Sequence, residues 1–289
     1  MEEELVKRVN KILDNSEINI NNENKITWKN NPIARLKKGN DYLSPEIEII
    51  ADDSLNTDSK SKLTIYLIKW LDDYINEVLG DLVKLTKHKI ENQYLRGLVF
   101  QLYENNGVIK RSEVDKIVKL IPSEERKKLW GMGIKIGRYH IYLPKMLKPK
   151  AVEFRVSLWK IFYNLSDKNI IPQSGLNFLI SKNFEKNFLL LCGFEKFNEF
   201  FVRIDILEKL FIKIIDNTNG KKFKINTEMM NLLGCSKENF YKLMDYMKYK
   251  KDKSIDTYVF QGERKKKKKL IKFDKKENPF NKLLTLNIK

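Results

Sequence analysis

The residues best suited to chemistry gather in one run, Gly133 to Pro149, which reads GIKIGRYHIYLPKMLKP. Lys135, Arg138, Tyr139, His140, Lys145 and Lys148 are set there among Ile134, Ile136, Ile141 and Leu143. Cations at this density neutralise phosphates, and aromatic rings between them stack on unpaired bases. A structural alternative stands beside this one: the aliphatic residues fill a core and the cations face water. The second concentration is Arg264-Lys265-Lys266-Lys267-Lys268-Lys269. Five consecutive lysines repel one another, so the run stays solvated and can bind phosphates without reading sequence.

Other reactive residues lack partners at useful spacing. No G-x-x-x-x-G-K-[ST] phosphate loop occurs, because Gly220-Lys221 has no upstream glycine. Glu46 to Asp53 reads EIEIIADD, an apolar strand ending in two carboxylates. An ATPase uses that pattern for magnesium, but alone it fits an exposed turn before a helix. His88 lies between lysines and His140 between tyrosines, neither with a Cys or carboxylate at ligand spacing. His140 has a structural alternative as a wing or core side chain. Cys192 and Cys235 adjoin glycine in apolar surroundings, which suits small buried side chains. Asp72-Asp73 fall on the polar side of a helix. No nucleophile, base and oxyanion site assembles.

Charge and composition bound the class. The chain has 289 residues, 56 Lys+Arg against 38 Asp+Glu, and a net charge of +18. Residues 1–60 hold 9 basic and 12 acidic side chains, whereas residues 264–289 hold 11 and 2. Such a field attracts polyanions. Of the basic residues 47 are Lys and 9 Arg, a bias that an AT-rich genome also writes, so charge alone does not single out nucleic acid. Apolar runs such as Phe188–Cys192 fall far short of the roughly 18 residues a bilayer span needs. MEEELVKR has no apolar signal region, and two cysteines make no disulfide framework, so a cytoplasmic protein without a membrane partner is expected.

The elements that must position these residues follow from periodicity. Leu5, Val9, Ile12 and Leu13 predict a short helix. Ile18–Ile20, Lys25–Trp28, Pro32–Leu36 and Glu46–Ile50 predict strands of a small sheet, with Asn21–Asn24 as a turn. Leu63, Leu67, Trp70, Leu71, Tyr74, Val78 and Leu79 share one helix face. Helices are expected over 92–104, 113–121 and 124–130, with Asn105-Asn106-Gly107, then Gly131 and Gly133, as stops. Ile134–Ile136 and Tyr139–Leu143 form a hairpin about Gly137-Arg138. Helices followed by a basic hairpin have the order of a winged-helix module.

A helix over 150–163 and a loop-rich connection over 164–187 come next. A second candidate unit, 200–262, joins a helix over 204–216, a strand at Phe223–Ile225, helices capped by Thr227 and Ser236, and a strand at Tyr258–Phe260. The expected class is α+β, predominantly helical. It has a linker helix (1–17), a small N-terminal sheet with a winged-helix-like domain (18–149), connecting helix and loops (150–199), a second winged-helix-like unit (200–262) and a lysine-rich tail (263–289).

Several segments, taken together, resemble a known family. They are Ile26-Thr-Trp-Lys, Ile33-Ala-Arg-Leu, Ile49-Ile-Ala-Asp-Asp53, Arg96-Gly-Leu-Val-Phe-Gln-Leu102, Gly107-Val108-Ile109, Gly133 to Pro144 and Leu147-Lys-Pro149. Downstream are Cys192-Gly-Phe194, Val202 to Leu210 and Leu233-Gly-Cys-Ser236. In this order they are similar to the C-terminal region of alphaproteobacterial superfamily-2 helicases related to the RNA helicase of the mitochondrial degradosome. The similarity covers about residues 18–250.

The family's two RecA-like motor domains would precede Met1, so ATP and magnesium are expected only on those domains and no cofactor on this chain. The resemblance implies an accessory region that grips single-stranded RNA through Lys135, Arg138, Tyr139, His140, Lys145, Lys148 and Arg264 to Lys269. A scaffold docking on a separately encoded helicase motor or a ribonuclease is the alternative. A stand-alone hydrolase is disfavoured by the missing constellation.

Overall fold

The computed structural model describes residues 17–21, 23–50, 57–165, 170–181, 185–219, 222–252 and 257–260. The expected helix at Leu5–Leu13, the carboxylates of Asp52 and Asp53, and the run Arg264 to Lys269 lie outside the described residues. Within them the fold is α+β, with nine α-helices and four small antiparallel sheets.

The N-terminal sheet is a meander of β1 (Ile18–Ile20), β2 (Lys25–Trp28), β3 (Asn31–Asp41) and β4 (Ser44–Ile49). Asparagine makes the first turn: the Asn21 side chain accepts from the Glu23 and Lys25 N–H groups, and Asn24 takes φ 59°. Ile26, Ala34 and Leu36 point inward onto α1 (Thr57–Lys87), which buries Leu63, Leu67, Leu71, Ile75, Leu79, Leu82 and Leu85. Helix α1 bends at Leu79, where φ is −114° and ψ 18°.

Three units with one strand order follow. The first runs α2 (Gln93–Glu104), β5 (Val108–Lys110), α3 (Arg111–Leu120), α4 (Ser123–Gly131), β6 (Lys135–Ile136) and β7 (His140–Tyr142), in the sheet order β5-β7-β6. Asn92 caps α2 through bonds from the Tyr94 and Leu95 N–H groups, and Asn106 and Gly107 end it with φ of 55° and 83°. A 3₁₀ turn, Pro144–Leu147, leads into α5 (Pro149–Tyr163). The second unit comprises α5, β8 (Phe178–Ile180), α6 (Lys186–Leu191), β9 (Phe194–Phe197) and β10 (Phe200–Arg203), in the order β8-β10-β9. The third comprises α7 (Ile204–Asp216), β11 (Thr218–Asn219), β12 (Lys222–Lys224), α8 (Thr227–Leu233), α9 (Lys237–Tyr246), β13 (Tyr249–Lys251) and β14 (Thr257–Phe260), in the order β11-β12-β14-β13.

In each unit the strand ahead of the last helix pairs with the final strand, which also pairs with its hairpin partner. The middle unit has one helix fewer between its first two strands. Two expectations are corrected here. The stretch 164–187 holds β8 and the start of α6, not loops alone. Asn226, not Thr227, caps α8, its side chain accepting from the Met229 N–H at 2.9 Å.

Each hairpin is launched by the same device. Gly133, Gly193 and Lys248 follow α4, α6 and α9 with φ of 79°, 87° and 67°, and each N–H reaches the carbonyl three residues back at 2.9 Å. The left-handed residue ends the helix and turns the chain into the next strand.

Two elements with apolar residues on both faces join the cores. Helix α5 sends Ala151, Phe154 and Leu158 to the N-terminal core, and Val152 and Val156 to the core of the middle unit. Strand β10 sends Phe201 to the middle core, and Phe200 and Val202 to the third. The strand period of two makes the run Phe200-Phe201-Val202 useful on both sides.

Candidate nucleic-acid interface

The hairpin of β6 and β7 does not project freely. Its tip, Gly137-Arg138-Tyr139, closes through Gly137 N–H to the His140 carbonyl at 2.7 Å. From the opposite side α7 inserts Glu208, which is 4% exposed. Its carboxylate accepts the N–H groups of Arg138, Tyr139 and His140 at 2.6, 2.8 and 3.0 Å. Three donors aimed at one carboxylate offset the cost of burying it. Arg111 braces the turn, donating its N–H to the Tyr139 carbonyl and its guanidinium to the Gly137 carbonyl, both at 2.8 Å.

Beneath the tip lies an ionic cluster. His140, 1% exposed, meets the Glu195 carboxylate at 2.8 Å through Nε2, and Lys110 pairs with the same carboxylate. The His140 Nδ1 has no hydrogen-bond partner and sits 3.9 Å from Glu208. Burial would raise the Glu195 carboxyl, but the hydrogen bonds and charges of His140 and Lys110 outweigh it and hold the group below the usual carboxylate range.

The expected contact residues therefore divide. Lys135 and Arg138 are exposed on the hairpin, and Lys148 is exposed at the start of α5. Lys145 stands in the 3₁₀ turn, paired with Asp81 at 3.0 Å. Tyr139 is half-buried; burial raises its phenol far above the ordinary range, with Tyr249 adding to the shift, so the hydroxyl keeps its proton. His140 is not at the surface: its ring is 1% exposed and bonded to Glu195. Arg264 to Lys269 lie outside the described residues.

Tyr139 and Arg138 border an open cleft of about 400 Å³ between the hairpin tip and the third unit. Tyr139 meets Phe211 edge-to-face at 5.7 Å and 82°, and the Arg138 guanidinium lies 5.5 Å from the Phe211 ring centre. Ile214, Ile215, Thr218, Phe223 and Tyr249 complete the wall. The described lining holds no carboxylate, thiol or imidazole. Such a cleft can hold a flat ring and an attached anion. Burial pushes the Cys192 thiol up to about 12 and the Cys235 thiol to about 11, so neither is a ready nucleophile. Among the described residues no group of His, Cys, Asp or Glu gathers to hold a metal, and no helix is long and apolar enough to cross a membrane.

The sequence reading missed three buried charges. Glu208 lies four residues after Ile204 on the apolar face of α7, a polar residue in a core position that signals a buried partner. Glu195 follows Phe194 on a strand. Arg155, fully buried, donates to the carbonyls of Asn106, Met146 (2.7 Å) and Leu191 (2.9 Å), all near helix ends. Carbonyls at helix C-termini carry partial negative charge, which suits a guanidinium. Searches found no matching family model, no matching curated protein and no matching solved structure.

Proposed function

We propose that this chain is the accessory region of an ATP-dependent RNA helicase, which grips single-stranded RNA while ATP hydrolysis belongs to motor domains elsewhere. The observation that carries the reading is the meeting of an exposed guanidinium, two aromatic rings and open apolar space at the tip of the first hairpin. Three consecutive units in which helices lead into a small antiparallel hairpin sheet, a net charge of +18 and the resemblance of the Gly133–Pro149 segment support it. Lys135, Arg138 and Lys148 would take phosphates, each lowering affinity uniformly across sequences when lost. Anisotropy with a labelled single strand of about 12 nucleotides tests the idea. Affinity should fall steeply between roughly 50 and 200 mM salt; no binding at the lower salt sinks the proposal.

Exposed apolar side chains favour a second reading, in which the body docks on a separately encoded motor or a ribonuclease. Trp130 at the end of α4 is 73% exposed and Phe100 on α2 is 61% exposed. Trp130→Glu would then abolish co-elution with that motor or nuclease and leave RNA affinity unchanged.

A further inference from the structure

We infer that the cleft beside Arg138 is a slot for one unstacked nucleobase of the bound strand. The inference rests on the RNA reading above and specifies where a base goes. Size comes first. A volume of about 400 Å³ is within the roughly 300–1,000 Å³ of small-molecule sites, and it suits one nucleoside, not a duplex. The walls suit a flat ring. Tyr139 and Phe211, both half-buried, supply the aromatic surface, Phe223 and Tyr249, each 3% exposed, close the floor behind them, and Ile215, 53% exposed, supplies an aliphatic flank. Stacking on such surface tolerates any base, because every base has a π-face.

Electrostatics favour a nucleotide over an apolar peptide side chain. Arg138 stands over Phe211 at the rim, where it can meet the phosphate attached to a seated base. The Glu208 carboxylate behind the tip is occupied by three backbone N–H groups. The slot is also ready-made: the Glu208 clamp fixes the backbone of Arg138 and Tyr139, so little ordering is needed on binding.

The test uses the full chain and a single-stranded RNA carrying one 2-aminopurine, whose fluorescence falls when it stacks on an aromatic ring. Wild type should quench it on binding. Ile215→Glu places a carboxylate in the slot without emptying the core; it should restore the fluorescence and lower affinity about tenfold. Arg138→Gln, which keeps the backbone N–H bonded to Glu208, should weaken binding and make its salt dependence shallower. Strand affinity and quenching unchanged in Ile215→Glu would overturn the slot and leave the RNA reading standing. If wild type binds no strand, the RNA reading fails by itself, and AMP at millimolar concentration probes the slot directly. Shifted ring resonances of Tyr139 and Phe211 in NMR spectra would support it, and unshifted ones would overturn it.

Discussion

Gly137 shows how one side chain can be forbidden by another far along the chain. A methyl group there would lie 2.3 Å from the Glu208 carboxyl carbon. That carboxylate cannot swing aside without leaving three N–H groups at the hairpin tip, and hydrogen bonds to charged groups contribute about 1.5–3 kcal/mol each. Gly137→Ala should therefore destabilise the fold by roughly 2–4 kcal/mol in urea unfolding, and Glu208→Gln by less, since its remaining oxygen still accepts. A loss under about 0.5 kcal/mol for Gly137→Ala would mean that the clamp contributes little.

Glu195 governs behaviour in acid. Its folded pKa lies below the unfolded value of about 4.3, so its stabilisation is present above that pH and lost as pH falls through the folded pKa. Thermal melts of the wild type should drop below about pH 4, with a shallower drop in Glu195→Gln. At neutral pH Glu195→Gln should be less stable by about 2 kcal/mol, because Lys110 and His140 lose a charged acceptor.

At the scale of elements, the three hairpins share a launching residue but not its chemistry. Gly193 takes φ 87° without steric cost, and an added methyl would also lie 2.7 Å from Leu147. Lys248 takes φ 67° at the equivalent place and carries the strain of a left-handed L-residue. Substitution should thus act in opposite directions: Gly193→Ala lowers stability by roughly 1–3 kcal/mol, and Lys248→Gly raises it by about 0.5–1 kcal/mol. Melting temperatures of the two variants check this; a loss in Lys248→Gly would break the proposed equivalence.

Helix α2 and the Asn106-Gly107 stop were legible in the sequence, because capping and positive φ are decided within a few residues. So was the small N-terminal sheet, although β3 extends beyond Pro32–Leu36 to Asp41. The middle unit was not. Strand β8 is three residues long, and its pairing with β10 bridges Phe178 to Val202, contacts that no local pattern announces.

At the scale of the molecule, basic charge is divided between the described units and the C-terminal run. Residues 264–289 hold 11 of the 56 cations. For single strands the slope of log affinity against log salt is about −0.7 per phosphate neutralised. A chain ending at residue 260 should bind RNA more weakly and with a shallower slope, measured by anisotropy at several salt concentrations. An unchanged slope would put the whole grip in the folded units.

The sequence by itself determined where most helices start and stop, which faces are apolar, and that cations and aromatics concentrate in the first hairpin. These properties follow from side-chain periodicity and from the φ preferences of Asn and Gly over a few residues. Only the tertiary structure decided that β7 lies between β5 and β6, that His140 is buried against Glu195, 55 residues away, and that Glu208 clamps a tip 68 to 70 residues distant. The reason is physical. Burying a charge is costly until a particular partner is in reach, and which partner arrives depends on how whole units pack.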